Sequence, residues 1–393
     1  MSPRVLIVDH GEGLWGAQRY LLRLAPLLEE RGIEQVFAAD ADSATAAAWR
    51  ADGRRHEVLP SPPNRSVRTA SGAMSPALAA REVARTARLS HRTAQLAKRV
   101  GADAIHANSH WSHLEGVGAA RLSGLPVVLH LHEENEDDLI GRLRGFAVLA
   151  ADASIAVSSA VARSLGGRAA DRTVVIRNGI DADALAPEPP KPGIREQLTG
   201  GVPDAPVLLS LSRLDPRKGV DQLIRAVAAL PDDLSNTRLA IAGAPAIAPE
   251  NGAVLRKLGA ELLGDRAIFL GAREDVPDLL RAADALVSAS SLEGLPLTVL
   301  EAQSCGTPVV AYPTAGIPEV VTDGVTGLLA RPGEPEHLAQ RLTELLRDPA
   351  LRARLSAQGR ERVLRESTLQ GQADQQVALL EELIARKPKR GRR

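Results

Sequence analysis

Two glutamates are spaced so that both could bind one phosphorylated ligand. Glu293 and Glu301 occur in the segment SSLEGLPLTVLEAQSCGTP, between two apolar runs. The segment predicts a turn and then a helix that begins near Leu297, whose first backbone N–H groups favour an anion such as a diphosphate. Both carboxylates could border a pocket at this helix end and accept hydrogen bonds from sugar hydroxyls. Solvated glutamates at a helix end are the structural alternative.

Two cations in a second segment fit the same ligand. Arg213 and Lys218 belong to RLDPRKG, which directly follows the apolar run PVLLSLS. Such a run predicts a buried strand, and ligands of parallel sheets bind at the carboxyl ends of strands. Cations there could neutralise a diphosphate as it leaves. The pattern therefore favours a nucleotide sugar, in which a diphosphate joins two polyols; ordinary surface charges are the alternative.

The elements that must position these residues form two series of alternating strands and helices. In the first series, residues 16–31 predict an amphipathic helix capped by Gly32, and strands are predicted at 4–10, 35–40, 103–109, 126–132, 154–158 and 173–179. In the second series, strands are predicted at 206–212, 238–242, 267–270, 285–289 and 308–312. Continuous apolar strands that alternate with helices predict parallel sheets covered on both faces.

A loop-like stretch separates the two series. Residues 182–206 contain six prolines and three glycines, a composition typical of a linker. The fold class predicted is α/β, with two doubly wound, Rossmann-like domains that face a cleft, and 393 residues suit two domains. The predicted boundaries are 1–185 for the first domain, 186–205 for the linker, 206–366 for the second domain, and 367–393 for a carboxyl-terminal helix and basic tail.

Composition excludes several classes of protein. The 48 Lys and Arg residues balance 48 Asp and Glu residues, so there is no overall attraction to nucleic acid. The single cysteine, Cys305, excludes an intramolecular disulfide framework and is expected to be a small buried residue. The first apolar run ends at Asp9, which is too early for the apolar core of a signal peptide. No apolar run is long enough to span a bilayer. We therefore expect a cytoplasmic protein without a nucleic-acid partner.

The order of the motifs resembles the retaining family 4 glycosyltransferases, which have the GT-B fold. The resemblance rests on SRLDPRKG, IAG, FLG and EGLPLTVLEAQSCGTPVVA in that order, on GIPEVVTDGVTGLLARPGEPEHLA after them, and on GLWGAQRYLLRLAPLLEERG near the amino terminus. It covers nearly the whole chain except about 45–100 and the tail. It implies an enzyme that transfers a sugar from a UDP- or GDP-sugar to an acceptor hydroxyl, with retention of configuration and without a metal or other cofactor.

The resemblance also implies roles for individual residues. Glu301 would bind the nucleotide ribose, Glu293 the donor sugar, and Arg213 with Lys218 the diphosphate. The implied catalytic residues are His132, Arg213, Lys218 and Glu293. The implied donor-binding residues are Gly16, Arg213, Lys218, Val276, Glu293, Gly294, Leu297, Thr298 and Glu301. Gly13 and His106 would lie on the acceptor side, and Trp15–Gly16 replaces the two adjacent glycines usual in the first loop of the family.

Two short patterns suggest other ligands. The spacing of His106, His110 and His113 permits a metal site, although the family reaction needs none. Residues 11–16 spell GxGxxG between a predicted strand and a predicted helix, which is the dinucleotide fingerprint. Binding of NAD would leave the whole second series of elements without a role, so it is the weaker interpretation.

A basic stripe lies in the region that the resemblance does not cover. Arginines 81, 85, 88, 92 and 99 recur at helical spacing. Such a stripe fits a helix that contacts anionic lipid, or an acceptor that carries phosphate; a solvated helix face is the alternative. A peripheral contact at the inner membrane face is thus an open expectation, with shallow insertion because few apolar residues lie opposite the stripe.

Two other functions fit the same motifs. One is a GT-B enzyme that does not transfer, such as a nucleotide-sugar epimerase, and the other is an idle nucleotide-sugar-binding protein. The intact set of Arg213, Lys218, Glu293 and Glu301 argues against idleness. The acceptor stays undefined and could be a glycan, a lipid-linked sugar or a small metabolite.

Overall fold

The structure, a computed structural model, describes residues 2–11, 13–61, 75–136, 138–246 and 248–386. Its contacts divide the chain into two compact units. Unit 1 comprises Met1–Arg177 with Gln370–Arg393, and unit 2 comprises Asn178–Leu369. The predicted basic tail at 387–393 lies outside the described residues.

Unit 1 contains a seven-stranded parallel sheet. Its strands are β1 (Arg4–Val8), β2 (Glu34–Ala39), β3 (His56–Val58), β4 (Ala104–Ala107), β5 (Val127–Leu131), β6 (Ala153–Ala156) and β7 (Thr173–Val175). They lie in the order β3-β2-β1-β4-β5-β6-β7. Strand β5 is buried along its whole length, as expected of a strand covered on both faces.

The helices of unit 1 cover this sheet. They are α1 (Gly16–Glu30), α2 (Ala44–Ala51), α3 (Pro76–Val100), α4 (His113–Ser123), α5 (Leu139–Ala150), α6 (Ser159–Ser164) and α7 (Gly167–Asp171). Helix α1 confirms the predicted amphipathic helix, and Gly32 after it takes a left-handed φ of 83°. The hydroxyl of Ser75 accepts a hydrogen bond from Leu78 N and caps α3, which carries the predicted basic stripe.

Unit 2 contains a six-stranded parallel sheet in the order β10-β9-β8-β11-β12-β13. Its strands are β8 (Val207–Leu211), β9 (Arg238–Ala242), β10 (Ala267–Gly271), β11 (Ala285–Ser288), β12 (Val309–Ala311) and β13 (Leu328–Leu329). Its helices are α8 (Ile194–Thr199), α9 (Val220–Ala228), α10 (Asn251–Leu262), α11 (Val276–Ala282), α12 (Leu297–Cys305), α13 (Ile317–Val320), α14 (Pro335–Arg347) and α15 (Pro349–Glu366). The two parallel sheets confirm the predicted α/β fold class.

Each sheet has a point at which the strand order reverses. In unit 1 the reversal falls between β1 and β4, and in unit 2 it falls between β8 and β11. The loops that follow such a strand pair diverge to opposite faces and leave a crevice at the carboxyl ends. Asp9 and Asn108 directly follow β1 and β4, whereas the Arg213 and Glu293 loops follow β8 and β11.

The boundary between the units differs from the predicted linker. Ile180 pairs with the end of α15: its N–H donates to Ser367 O over 2.9 Å, and its carbonyl accepts from Leu369 N over 3.0 Å. This pairing draws residues after Arg177 into unit 2, and the predicted linker at 186–205 contains helix α8. The short strands β3 and β13 were not predicted.

The last helix, α16 (Leu369–Arg386), follows unit 2 in sequence and packs in unit 1. The hydroxyl of Tyr20 in α1 donates to Gln376 Oε1, and Arg31 Nε pairs with Asp374 Oδ1 over 2.6 Å. Helix α16 is therefore part of the α1 side of unit 1. None of the described helices combines the length and apolar composition needed to cross a bilayer.

Candidate functional site

An ion pair joins the two loops at the reversal point of unit 2. Lys218 closes the turn after β8, and Glu293 lies between β11 and α12. Lys218 Nζ donates to Glu293 Oε1 over 2.6 Å, and the two side chains are only 18% and 13% exposed. Ser291 N also donates to Arg217 O over 2.9 Å. The structure thus brings together two predicted site residues that are distant in sequence.

Gly219 permits this close approach of the two loops. Its φ is 63°, in the left-handed region, and a Cβ placed on it would lie 2.1 Å from Ala289 O. Only glycine combines this backbone conformation with so little space. The glycine that ends RLDPRKG is therefore required by the geometry that sets Lys218 against Glu293.

Arg213 is oriented by an acidic neighbour. Its Nε lies 3.2 Å from Asp215 Oδ2, with the Arg213 side chain 26% exposed and that of Asp215 2% exposed. Asp215 is itself fixed, because its Oδ1 accepts from Ala246 N over 3.1 Å. The guanidinium therefore stands at the carboxyl end of β8 in a defined direction, close in sequence to Lys218.

Helix α12 begins beside these charges and contains Glu301. Leu297 and Thr298 are its first two residues and are half-buried, and Gly294 O in the preceding loop accepts from Gly316 N over 2.9 Å. Glu301 is 4% exposed, so the alternative of a solvated helix-end carboxylate does not hold for it. Cys305 ends the helix as a buried residue, as expected, and burial raises the pKa of its thiol to about 11.

Val276 is placed at the same end of the sheet but farther along it. It begins α11 after β10, and β10 is separated from β8 by β9. Arg273 Nη2 pairs with Asp275 Oδ2 over 2.5 Å in this loop, and that hydrogen bond lowers the pKa of Asp275. Val276 therefore lines a different stretch of the carboxyl edge from the Lys218–Glu293 pair.

Unit 1 places three histidine rings in one stack at the ends of β4 and β5, here called the histidine stack. The ring centroids of His130 and His132 are 4.2 Å apart, and those of His106 and His130 are 5.4 Å apart. Tyr20 meets His130 and His132 edge-on, at 4.9 and 5.5 Å. Two predicted site residues, His106 and His132, thus share one cluster, with His130 between them.

The histidine stack is neutral at physiological pH. Burial lowers the pKa of His106 to about 4 and, together with nearby histidines, lowers those of His113 and His132 to about 3. The pKa of His130 lies well below its ordinary value for the same reason. A neutral imidazole can donate or accept a hydrogen bond but supplies no positive charge to a phosphate. Among the predicted site residues, the positively charged side chains are therefore Arg213 and Lys218 of unit 2.

A chain of hydrogen bonds sets the orientation of His132. Asp9 accepts from Gly11 N over 2.6 Å and from Asn108 Nδ2 over 2.6 Å. Asn108 Nδ2 also points at Ala17 O, which can only accept, at 3.5 Å. The amide oxygen of Asn108 must then face His132 Nε2, 3.0 Å away. His132 therefore carries its proton on Nε2, because an amide oxygen cannot donate.

The glycine loop of unit 1 meets the same network. A Cβ on Gly11 would lie 2.2 Å from Gln18 Nε2, whereas one on Gly16 would meet open space. A Cβ on Gly13 would lie 2.5 Å from Trp15 Nε1, so Gly13 packs under the indole. Gly16 begins α1, and Trp15 is 38% exposed beside it. Of the two predicted glycines, only Gly13 lies close to another side chain, the exposed indole of Trp15.

The histidine spacing does not gather the three residues of the proposed metal motif. His106 Nε2 faces His130 Nδ1 at 3.3 Å, whereas His113 Nε2 faces His130 O at 3.0 Å. His110 lies 3.7 Å from Glu133. Throughout the part of the chain that the structure describes, no group of three or more His, Cys, Asp or Glu side chains is arranged to hold a metal ion.

Sequence reasoning missed several buried polar residues of unit 1. Asp9 and Asn108 are 2% and 0% exposed, and His10 Nε2 lies 2.7 Å from Glu115 Oε2 with both side chains buried. The signal was present for the first two, since each is a polar residue near the carboxyl end of a predicted apolar strand. Glu115 could not be found in this way, because it lies inside α4.

Comparisons with known proteins agree with both halves of this architecture. The family model described as Glycosyl transferases group 1 matches residues 198–362, and the model described as Glycosyltransferase Family 4 matches residues 15–184. Alpha-maltose-1-phosphate synthase of Mycobacterium tuberculosis is 31% identical over 312 residues, which cover 72% of this chain and 80% of that protein. D-inositol 3-phosphate glycosyltransferase of Frankia alni is 37% identical over 195 residues, covering 48% of this chain and 47% of that protein.

Solved structures match over nearly the full length. The crystal structure of Anabaena HepE in complex with UDP and glucose has a TM-score of 0.80 and 25% sequence identity, covering 97% of this chain and 100% of that one. Sucrose-phosphate synthase from Thermosynechococcus elongatus has a TM-score of 0.80 at 22% identity, covering 98% of this chain and 100% of that one. The second likeness concerns the fold alone.

Proposed function

Since this chain belongs to the glycosyl transferases group 1 family and is a glycosyltransferase of GT-B fold, we propose that it transfers a sugar from a UDP- or GDP-sugar to an acceptor hydroxyl. The observation that carries the proposal is the 2.6 Å contact between Lys218 Nζ and Glu293 Oε1 at the reversal point of unit 2. It sets a cation and a carboxylate at the end of the sheet where nucleotide ligands bind.

The diphosphate is assigned to Arg213, Lys218 and the start of α12. Asp215 holds the guanidinium at the carboxyl end of β8, and Glu293 holds the ammonium beside it. Leu297 and Thr298 begin α12, where backbone N–H groups and the helix dipole favour an anion. Charge that develops on the leaving diphosphate would meet donors already in position, which lowers the barrier to its departure.

Glu293 has two roles in this proposal. Without donor it neutralises Lys218 and keeps that side chain from extending into solvent. When the donor binds, its phosphate pairs with the Lys218 ammonium, and the Glu293 carboxylate accepts hydrogen bonds from hydroxyls of the donor sugar. An exchange of one charged partner for another avoids leaving a half-buried charge unpaired.

The remaining donor contacts follow the family pattern. Glu301, buried in α12, is assigned to the nucleotide ribose, since a carboxylate can accept from two hydroxyls. Val276 at the start of α11 is assigned to the base. Gly294 supplies backbone beside Glu293, and Gly16 is assigned to the donor because no side chain fills the space at its Cα.

The transfer step is assigned to His132, with Gly13 and His106 on the acceptor side. Retention requires that the acceptor enter on the face from which the diphosphate leaves. The bond from the anomeric carbon to the acceptor oxygen forms as the bond to the diphosphate breaks, and the hydroxyl proton leaves with the diphosphate. His132 is neutral, so it acts as a hydrogen-bonding group, through its ring or its carbonyl, and not as a cation.

The relatives support this choice of substrates. Anabaena HepE binds UDP and glucose, and a matching mannosyltransferase of Mycolicibacterium smegmatis is named as dependent on GDP-mannose. Inositol phosphate and a lipid-borne inositol occur among the acceptors that the names of relatives imply. We propose that the acceptor of this chain is a glycan, a lipid-linked sugar or a small metabolite. The absence of a metal requirement and a cytoplasmic location stay predictions.

Calorimetric titration of the full chain with UDP, GDP and ADP, with NAD as the comparison, tests the donor assignment. We expect one diphosphate to bind and Glu301→Gln to weaken it about tenfold to a hundredfold, the cost of a hydrogen bond to a charged group. Glu336→Gln, an exposed glutamate of the same unit, is the matched control.

Product analysis tests the transfer itself. With the preferred donor, release of nucleoside diphosphate should depend on added acceptor, persist in EDTA, and give a product of unchanged anomeric configuration by NMR. Binding of NAD alone would contradict the donor assignment. Conversion of the donor sugar without acceptor would instead favour the epimerase alternative.

A further inference from the structure

Helix α5 presents its large apolar side chains to solvent. Leu143, Phe146 and Leu149 are 43%, 63% and 41% exposed, and their spacing of three residues places them on one helix face. The buried side of the same helix consists of the small or short residues Gly141, Ala147 and Val148. A surface helix in water has the opposite arrangement, with its large apolar residues toward the core.

A neighbouring helix extends this face. Leu122 near the end of α4 is 53% exposed, and Arg121 Nη2 beside it donates to Ala150 O at the end of α5 over 3.5 Å. We call Leu122, Leu143, Phe146 and Leu149 the apolar patch. Several large exposed apolar side chains on adjacent helices mark a contact surface, whereas single exposed ones need no explanation.

Cations surround the apolar patch. Arg142 and Arg144 are the only charged residues within Leu139–Ala150. Arg172 Nη1 donates to Leu149 O over 3.4 Å, and Lys98 Nζ donates to Leu122 O over 3.3 Å. These side chains both cap the last carbonyls of α5 and α4 and bring positive charge to the edge of the patch.

The basic stripe lies in the same helix layer. Helix α4 packs between α3 and α5, so the three helices form one layer on unit 1. The outer residues of α3 include the exposed arginines Arg81, Arg88, Arg92 and Arg99, and Glu82 is the only acidic residue of that helix. The layer thus combines an apolar patch on α4 and α5 with cations on all three helices.

We propose that this layer is a docking surface for an anionic phospholipid bilayer. Leu143, Phe146 and Leu149 would enter the boundary between headgroups and acyl chains, while the arginines bind lipid phosphates. The acidic run at 133–138 precedes α5, so the contact is centred on the later part of that helix. The inference does not depend on the donor assignment, because none of its residues belongs to the proposed nucleotide site.

The charge pattern favours lipid over a second copy of the chain. A twofold dimer through the apolar patch would place the same surface of both copies face to face. Arg142 and the arginines at the patch edge would then face the same arginines of the other copy, and like charges repel. Lipid phosphates would attract these arginines instead. A free phosphate as the ligand would explain the arginines but would leave the exposed apolar patch unexplained.

Sedimentation of the full chain with vesicles tests the proposal. We expect binding to vesicles of phosphatidylcholine mixed with phosphatidylglycerol, weaker binding to phosphatidylcholine alone, and a decline as salt rises. Leu143→Ser with Phe146→Ser should reduce binding at least tenfold. Arg142→Gln should reduce it about fivefold, the share expected of one basic residue at such a surface. Val254→Ser with Leu262→Ser, which changes two exposed apolar residues of unit 2, should leave binding unchanged.

Two further measurements keep the result decisive. Thermal unfolding of each variant checks that the fold is intact, and Phe146→Trp should give a blue shift of fluorescence on anionic vesicles. No binding at low salt, or equal binding by the serine variant, would overturn the proposal. A concentration-dependent dimer that the serine variant abolishes, in a protein that ignores vesicles, would assign the patch to a second copy instead.

Discussion

Replacement of Asn108 by leucine tests the network that orients His132. The side chain of Asn108 is fully buried, donates to Asp9 Oδ2 over 2.6 Å, and accepts from His132 Nε2 at 3.0 Å. Leucine has the same branched shape, is larger, and makes neither bond. The substitution therefore removes a charge-assisted hydrogen bond and a neutral one.

The size of the effect follows from these two bonds. A hydrogen bond to a charged group contributes about 1.5–3 kcal/mol, and a neutral one about 1 kcal/mol. Asp9 keeps Gly11 N and Gln18 Nε2 as donors, so the loss is partial. We expect Asn108→Leu to lower the stability of unit 1 by about 2–4 kcal/mol, or roughly 5–15 °C in the melting temperature of a unit this size.

The imidazole itself gives a second readout. In the unaltered protein the ¹⁵N signals of His132 should show a proton on Nε2 alone, and in Asn108→Leu the two tautomers should mix. His132→Gln identifies the signals, and calorimetry follows unfolding. If the proposed function holds, transfer should fall about tenfold to a hundredfold with bound donor, as expected when a reacting group is misplaced.

A matched variant separates this network from general effects of leucine. Asn236 is exposed in a turn of unit 2, and Asn236→Leu should leave stability, tautomer and transfer unchanged. An Asn108→Leu protein with the original melting temperature and a single His132 tautomer would refute the reasoning. Loss of transfer with an unchanged tautomer would also refute it, because the activity would then depend on Asn108 in another way.

Two more outcomes follow from the geometry. His106 and His113 have pKa values lowered to about 4 and about 3, below the value near 6.5 of the unfolded chain. The unfolded state therefore binds more protons as pH falls below 6.5, and unfolding free energy should drop by about 2 kcal/mol per histidine at pH 5. In thermal melts, His106→Gln should reduce this dependence of stability on pH, whereas His91→Gln, at an exposed position, should not. If the unaltered protein and both variants showed the same dependence, burial of a neutral His106 could not be its cause. Gly219→Ala should abolish binding of the diphosphate by moving the Lys218 loop off Ala289 O, whereas Gly264→Ala, also at positive φ but facing open space, should bind normally in the same titration.

Much of the fold could be predicted from the sequence because its signals are local. The strand β9 was predicted at its observed bounds, and α1 and α12 began at the predicted residues. Their apolar runs, turns and capping glycines act within a few residues, so a single sequence contains them. The packing of α16 in unit 1 was not predictable, since its contacts with Tyr20 and Arg31 join the two ends of the chain.

The candidate site divides in the same way. The sequence by itself determined the residue types: a carboxylate and two cations after strands, a second carboxylate in a helix, and histidines at two strand ends. Only the tertiary structure decided that Lys218 pairs with Glu293, that Asn108 holds the tautomer of His132, and that α5 turns its leucines outward. The chemical character of a side chain depends on the residue type, so it can be read from the sequence. Hydrogen bonds, desolvation and exposure depend on distances between residues, and these are set only when strands remote in sequence become neighbours in a sheet.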